Sequence, residues 1–71
     1  MSRNGYADHT RGNAQVALQQ YDDAIVAYQD AATNGYDQIQ AALSQAGTLR
    51  MAGRIEDARE LLKANPQAVN R

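Results

Sequence analysis

Two alanines recur in the same local setting. Ala24 closes the run Tyr21-Asp22-Asp23-Ala24, and Ala58 closes Ile55-Glu56-Asp57-Ala58. They stand 34 residues apart, an interval at which helical repeat proteins renew their basic unit. A small residue behind a large apolar one and two carboxylates, returning at that spacing, argues for two copies of one helical hairpin. The pattern defines a kind of scaffold and leaves its partner unnamed. Nothing in it points to a reaction.

With 71 residues the chain has room for one small domain, and 1–71 reads as a single unit. Domains of this size bury only about 60% of the surface their unfolded chains expose. Disulfides, metals or oligomerisation often make up the deficit. Cysteine is absent and histidine occurs once, which removes disulfides, thiolate sites and multi-histidine sites. Stability has to come from packed helices or neighbouring subunits. Seven basic and eight acidic residues give a net charge of −1, and no Lys/Arg cluster offers the footprint of a nucleic-acid binder. No apolar stretch approaches the roughly 20 residues of a membrane span. The start, Met-Ser-Arg-Asn-Gly-Tyr, lacks the apolar core of a signal peptide. The compartment is thus cytoplasmic by default, and a processed secreted form would look the same.

The chain is rich in Ala and Gln and has neither Phe nor Trp. Ala and Gln favour helix, and small Ala side chains let helices approach closely. Four helices are expected. The first spans about Tyr6 to Gln19. The second opens near Asp22, with Asp22 and Asp23 at the positive end of the helix dipole, and closes near Thr33 before Asn34-Gly35. Asp37 caps the third, which runs to about Ala52 and stops at Gly53. Glu56 and Asp57 open the fourth, and Pro66 limits it. Short connections make neighbours antiparallel, and no strand-like alternation competes. The apolar face of the second helix is Tyr21, Ala24, Ile25, Tyr28, Ala31 and Ala32, at helical spacing. Ile55, Ala58, Leu61 and Leu62 form that of the fourth. The first and third contribute Ala14 with Leu18, and Ala42 and Ala46 with Leu49.

These residues resemble the tetratricopeptide repeat family. Gly12-Asn13-Ala14, Leu18, Tyr21-Asp22-Asp23-Ala24-Ile25, Tyr28 and Ala31 look like one repeat. Gly12 and Ala46 match the small residue at the helix crossing. Tyr21 and Ile55 match the large apolar residue by the hairpin turn. Ala24 and Ala58 match the early Ala of the second helix, and Tyr28 and Leu62 the large residue one turn on. Ala31 fills the final small position, where the second copy has Asn65. Asp8, Ala42 and Gln15 depart from usual aromatics, and Tyr36 from a frequent proline. The resemblance implies an all-α fold of two antiparallel helix-turn-helix hairpins, stacked as a short right-handed α-solenoid. Repeat one would cover about 5–36, repeat two about 37–66, and a short tail 67–71, with no further helix after Pro66.

It also implies a groove lined by the first helix of each repeat: Tyr6, His9, Asn13 and Val16, then Gln40, Leu43, Gly47 and Arg50. Each set falls on one helical face. Asn13 could pair with a peptide backbone. With His9 it partly resembles a carboxylate clamp whose basic members would come from a third repeat. For His9 alone, an ordinary solvated side chain is the favoured reading. The acidic pairs Asp22-Asp23 and Glu56-Asp57 do not converge as neighbours on a helix, so dipole compensation explains them better than metal or acid–base chemistry. Tyr21 and Tyr28 read as core, and Tyr36 sits at the turn between repeats. Asn34-Gly35 is a turn and not a phosphate loop.

No enzyme and no cofactor is therefore expected. One reading is a protein–protein interaction module, an adaptor or scaffold that holds a peptide or helix. A structural subunit is the rival: with two repeats, Tyr6, Ala7 and Ala14 at one end and Ile55, Leu61 and Leu62 at the other would stack copies head to tail into an oligomer or filament. A fragment of a longer array is a weaker third.

Overall fold

The computed structural model describes residues 4–69; the expectations for the first three residues, and for 70 and 71 in the tail, lie outside that range. The described residues are helical throughout, joined by short turns. The helices are α1 (Gly5–Ala17), α2 (Tyr21–Thr33), α3 (Gln38–Met51), α4 (Ile55–Ala64) and α5 (Pro66–Val69). Consecutive helices α1 to α4 pack on one another. The Gly5 N–H at the start of α1 donates to the Asn34 carbonyl after α2 (3.2 Å), so these two run antiparallel. Arg54, before α4, reaches Asp22 at the start of α2 (3.6 Å), so α2 and α4 run the same way.

Local chemistry explains where the helices begin and end. Asn4 caps α1 by accepting from the Tyr6 and Ala7 N–H groups, and Asp37 caps α3 by accepting from Ile39 and Gln40. Three helices end in the same paired hydrogen-bond motif. In α2, Tyr36 N–H donates to Ala31 O (2.9 Å) around Gly35; in α3, Arg54 N–H donates to Leu49 O (2.8 Å) around Gly53. Both glycines have positive φ, as the motif requires. In α1 the Gln20 N–H donates to Gln15 O (2.8 Å), and the left-handed residue is Gln19 (φ 60°). The first helix therefore stops at Ala17, two residues short of the expected Gln19.

Gln19 and Gly53 are 34 residues apart and make the same turn. The residues after them, Gln20 (φ −92°, ψ 70°) and Arg54 (φ −96°, ψ 67°), share one conformation. The recurrence read in the sequence thus extends to backbone geometry at the hairpin turns. A side chain at a left-handed position is strained. Gln19→Gly is expected to stabilise the chain by about 0.5–1 kcal/mol, measured as a rise in the urea midpoint. No rise would mean the strain is already relieved.

The core is built from alanines around a few large residues. Ala24, Ala27, Ala31, Ala41, Ala42, Ala46 and Ala58 are buried, with Ile25, Tyr28 and Leu49 among them. Ala24 and Ala58 are contact positions, as expected. Ile25, Leu49, Ala46 and Ala58 form one cluster joining α2, α3 and α4, with Leu61 and Leu62 against its edge. The contribution of α1 differs from expectation. Ala14 and Leu18 face outward, Leu18 being 67% exposed. What α1 buries is Gly5 and Gly12. A Cβ on Gly12 would lie 2.6 Å from Cε1 of Tyr28, so the bare backbone is the packing surface. One on Gly5 would meet the Ala31 carbonyl oxygen at 2.6 Å. The polar exception in the core is Thr48, whose hydroxyl donates to the Ser44 carbonyl (2.8 Å).

A fifth helix replaces the expected non-helical tail. Pro66 ends α4 but opens α5, because proline lacks only an N–H that the first turn leaves unpaired. The Asn65 amide donates to the Leu61 carbonyl (2.9 Å) and closes α4. Ala68 is buried as α5 packs on α3 and α4.

Candidate functional site

The expected groove residues separate into an engaged set and an open set. At the centre lies a polar chain that joins α1, α2 and α3. The Tyr28 hydroxyl donates to Asn13 Oδ1 (2.7 Å). Asn13 Nδ2 lies 3.5 Å from His9 Nδ1, and His9 Nε2 lies 2.8 Å from Ser44 Oγ. Because Asn13 Oδ1 accepts from tyrosine, its Nδ2 faces His9 as a donor. His9 is then best satisfied as the Nε2–H tautomer, accepting at Nδ1 and donating to Ser44. The imidazole also stacks on Tyr36, with centroids 4.2 Å apart and planes 12° from parallel. Tyr28 meets it at a tilt, 5.0 Å away. Tyr6 continues the row beyond Tyr36 (6.1 Å).

Burial pushes the His9 pKa below 6.5 and raises that of Tyr28. The groups that bond the His9 ring, Asn13 and Ser44, are neutral, so no hydrogen-bonded carboxylate offsets the burial. The folded chain therefore binds a proton on His9 less readily than the unfolded chain. His9 contributes its full stability above about pH 6.5. That contribution is lost as the pH falls through the lowered value. Melting temperature should fall as the pH drops from about 6.5 towards that lowered value. A His9→Gln variant should show a flatter profile; equal slopes would mean that His9 is indifferent to folding.

The remaining expected residues lie outside this polar chain. Tyr6 is 71% exposed, beside a hollow of about 400 Å³ lined by Asn4, Asn34, Gly35, Tyr36 and Asp37. Val16, Gln40 and Leu43 are half-buried. A Cβ added to Gly47 would meet nothing within 4 Å. Arg50 is turned to the far edge of α3, where it lines a different hollow with Ile55, Ala58, Arg59 and Leu62. Asn13 is exposed, and its amide keeps one N–H and one lone pair beyond its bonds to His9 and Tyr28.

Three residues of this region carried no functional signal in the sequence. Ser44 was unremarkable, yet it is the α3 end of the polar chain. Gly5 brings the start of α1 against the end of α2, and buried Thr48 donates to the Ser44 carbonyl one turn back. The spacing of His9 and Asn13, one helical turn apart, was the one local hint of a network. Gln15 Oε1 is buried without a partner, at a position where the resemblance implies an aromatic. Among the described residues, no three His, Asp or Glu side chains converge as a metal site, and no helix is long and apolar enough to cross a membrane.

Comparison of the chain with protein-family models, with curated proteins and with solved structures returned no match.

Proposed function

We propose that this chain is a non-catalytic protein–protein interaction module of tetratricopeptide type. Its two hairpins would form a short right-handed α-solenoid, and the joined faces of α1 and α3 would receive a peptide or helix. Two features support the architecture: the matching turns at Gln19 and Gly53, and the tight seating of Gly12 on Tyr28. The observation that carries the function is the state of the α1–α3 face. The His9–Ser44 hydrogen bond ties the two helices together, while Gly47 leaves open space on the same α3 face as Gln40 and Leu43. A shallow face with an aromatic row at one side suits recognition better than chemistry, because its central polar groups bond one another.

The test exploits Gly47. Peptides would be selected on the chain from a random displayed library and then measured against Gly47→Tyr. That substitution fills the open space and removes a poor helix former, so the melting temperature should hold or rise. The selected peptides should lose most of their affinity. Peptides that bind the variant as well as the parent chain would overturn the groove, as would a selection that enriches none.

A further inference from the structure

Two outward faces at opposite ends of the molecule complement each other. The first is a trough along α4 and α5. Leu62 forms its floor, half-buried, while Ile55 (49% exposed) and Val69 (60% exposed) stand along it. Two shallow hollows meet there. One, of about 300 Å³, is lined by Arg50, Ile55, Ala58, Arg59 and Leu62; the other, of about 400 Å³, by Arg59, Leu62, Lys63, Pro66 and Val69. They share Arg59 and Leu62, so the apolar surface is continuous and its rim is basic. Arg59 pairs with Glu56 (3.0 Å) and Lys63 with Glu60 (3.6 Å). Such exposed pairs are weak, and both cations keep donors free for another carboxylate.

The second face lies on α1 and α2. Ala7, Arg11, Ala14 and Leu18 are all exposed and recur at helical spacing on one side of α1. Two alanines and a leucine make a low, nearly flat surface. Arg11 is the single cation among the described residues of these two helices, against Asp8, Asp22, Asp23 and Asp30. It pairs with Asp8 (3.5 Å) and Asp30 (3.3 Å), and four carboxylates against one cation leave the two helices net acidic. Asp23 and Asp30 share one stripe of α2, so the margin of this face is acidic. An apolar trough with a basic rim therefore matches a low apolar face with an acidic margin.

We propose that the trough on α4 and α5 is the docking site for the α1–α2 face of a second copy of this chain. The fit is of unlike surfaces, so the contact is head to tail and continues from copy to copy, into a ring or a filament. A net charge of −1 opposes this little at long range. The surfaces differ from the expected stacking set in two ways. Tyr6 turns away to the Tyr36 row, and Leu61 packs on its own core. Val69 of α5 takes part instead. The inference does not depend on the α1–α3 groove.

Sedimentation equilibrium over a wide concentration range tests it, with charge reversal as the discriminating step. The parent chain should exceed its monomer mass of 7.7 kDa increasingly with concentration, without levelling at a dimer. Arg59→Glu with Lys63→Glu should weaken association by about tenfold or more, and Asp23→Lys with Asp30→Lys should do the same. Mixed in equal amounts, the two variants should associate again, because each acidic face now meets a basic one. Circular dichroism checks that both remain helical. If the second variant unfolds, Val69→Glu, at an exposed position on the trough, should lower the mass on its own. A monomer at every concentration would overturn the proposal, as would assembly that stops at a dimer, or folded variants whose mixture stays apart.

Discussion

Tyr28→Ala is expected to unfold the chain or leave it partly folded at room temperature. The ring is 3% exposed and occupies the space that Gly12 leaves by lacking a side chain. Removing a buried aromatic costs about 3–5 kcal/mol, part of it for the cavity left behind. A core this small supplies about that much stability in total. Relaxation is hard here, because the facing surface is the α1 backbone and nearby alanines have no length with which to fill a gap. The hydroxyl adds a second loss, since Asn13 Oδ1 would lose its donor. Tyr28→Phe separates the two effects. It keeps the ring and should cost about 1 kcal/mol for the hydrogen bond. Circular dichroism melts decide the matter. A Tyr28→Ala variant melting close to the parent would show that the α1–α2 interface does not rest on this ring.

Leu49→Ala should produce the second-largest loss, about 2–5 kcal/mol. Leu49 is 4% exposed and packs with Ile25, Ala46 and Ala58 where α2, α3 and α4 meet. It is the large α3 member of that cluster, so its removal loosens α3 against both α2 and α4. Leu61 and Leu62 lie at the edge of the cluster and can shift inward. The lower half of that range is therefore expected. Urea titration would read the loss as a lower midpoint with an unchanged slope. A reduced slope would mean that the hairpins had begun to unfold separately. A midpoint within experimental scatter of the parent would place the stabilising contacts elsewhere.

Some of the molecule was legible because the forces responsible are local. Asp37 caps the nearest N–H groups whatever surrounds it, and Gly35 and Gly53 end helices because they reach left-handed φ without a Cβ. The same rule hid the end of α1, where Gln19 holds that conformation against its preference. Pro66 misled for a related reason. Proline is compatible both with the end of one helix and with the first turn of the next, and packing of Ala68 against the preceding helices selected the second.

The site was less legible. His9, Asn13, Gln40, Leu43 and Gly47 could be assigned to helix faces by spacing alone. Spacing did not say that Ser44 would stand opposite His9, 35 residues further along the chain, or that Asn13 would be held by Tyr28. It also gave Leu18 to the inward face and Ala14 to both the inward face and the outer stacking set, when the glycines of α1 supply the contact and both residues face outward.

The sequence by itself thus determined an all-helical chain, most helix boundaries, and the small residues that repeat at the hairpin contacts. Capping, helix dipoles and glycine conformation act over a few residues, so a linear reading captures them. Only the tertiary structure decided which face of α1 turns inward, how Tyr28, Asn13, His9 and Ser44 satisfy one another, and where the apolar side of α4 remains open. Those outcomes depend on the distance and angle between helices, which are set by all the contacts of an interface together.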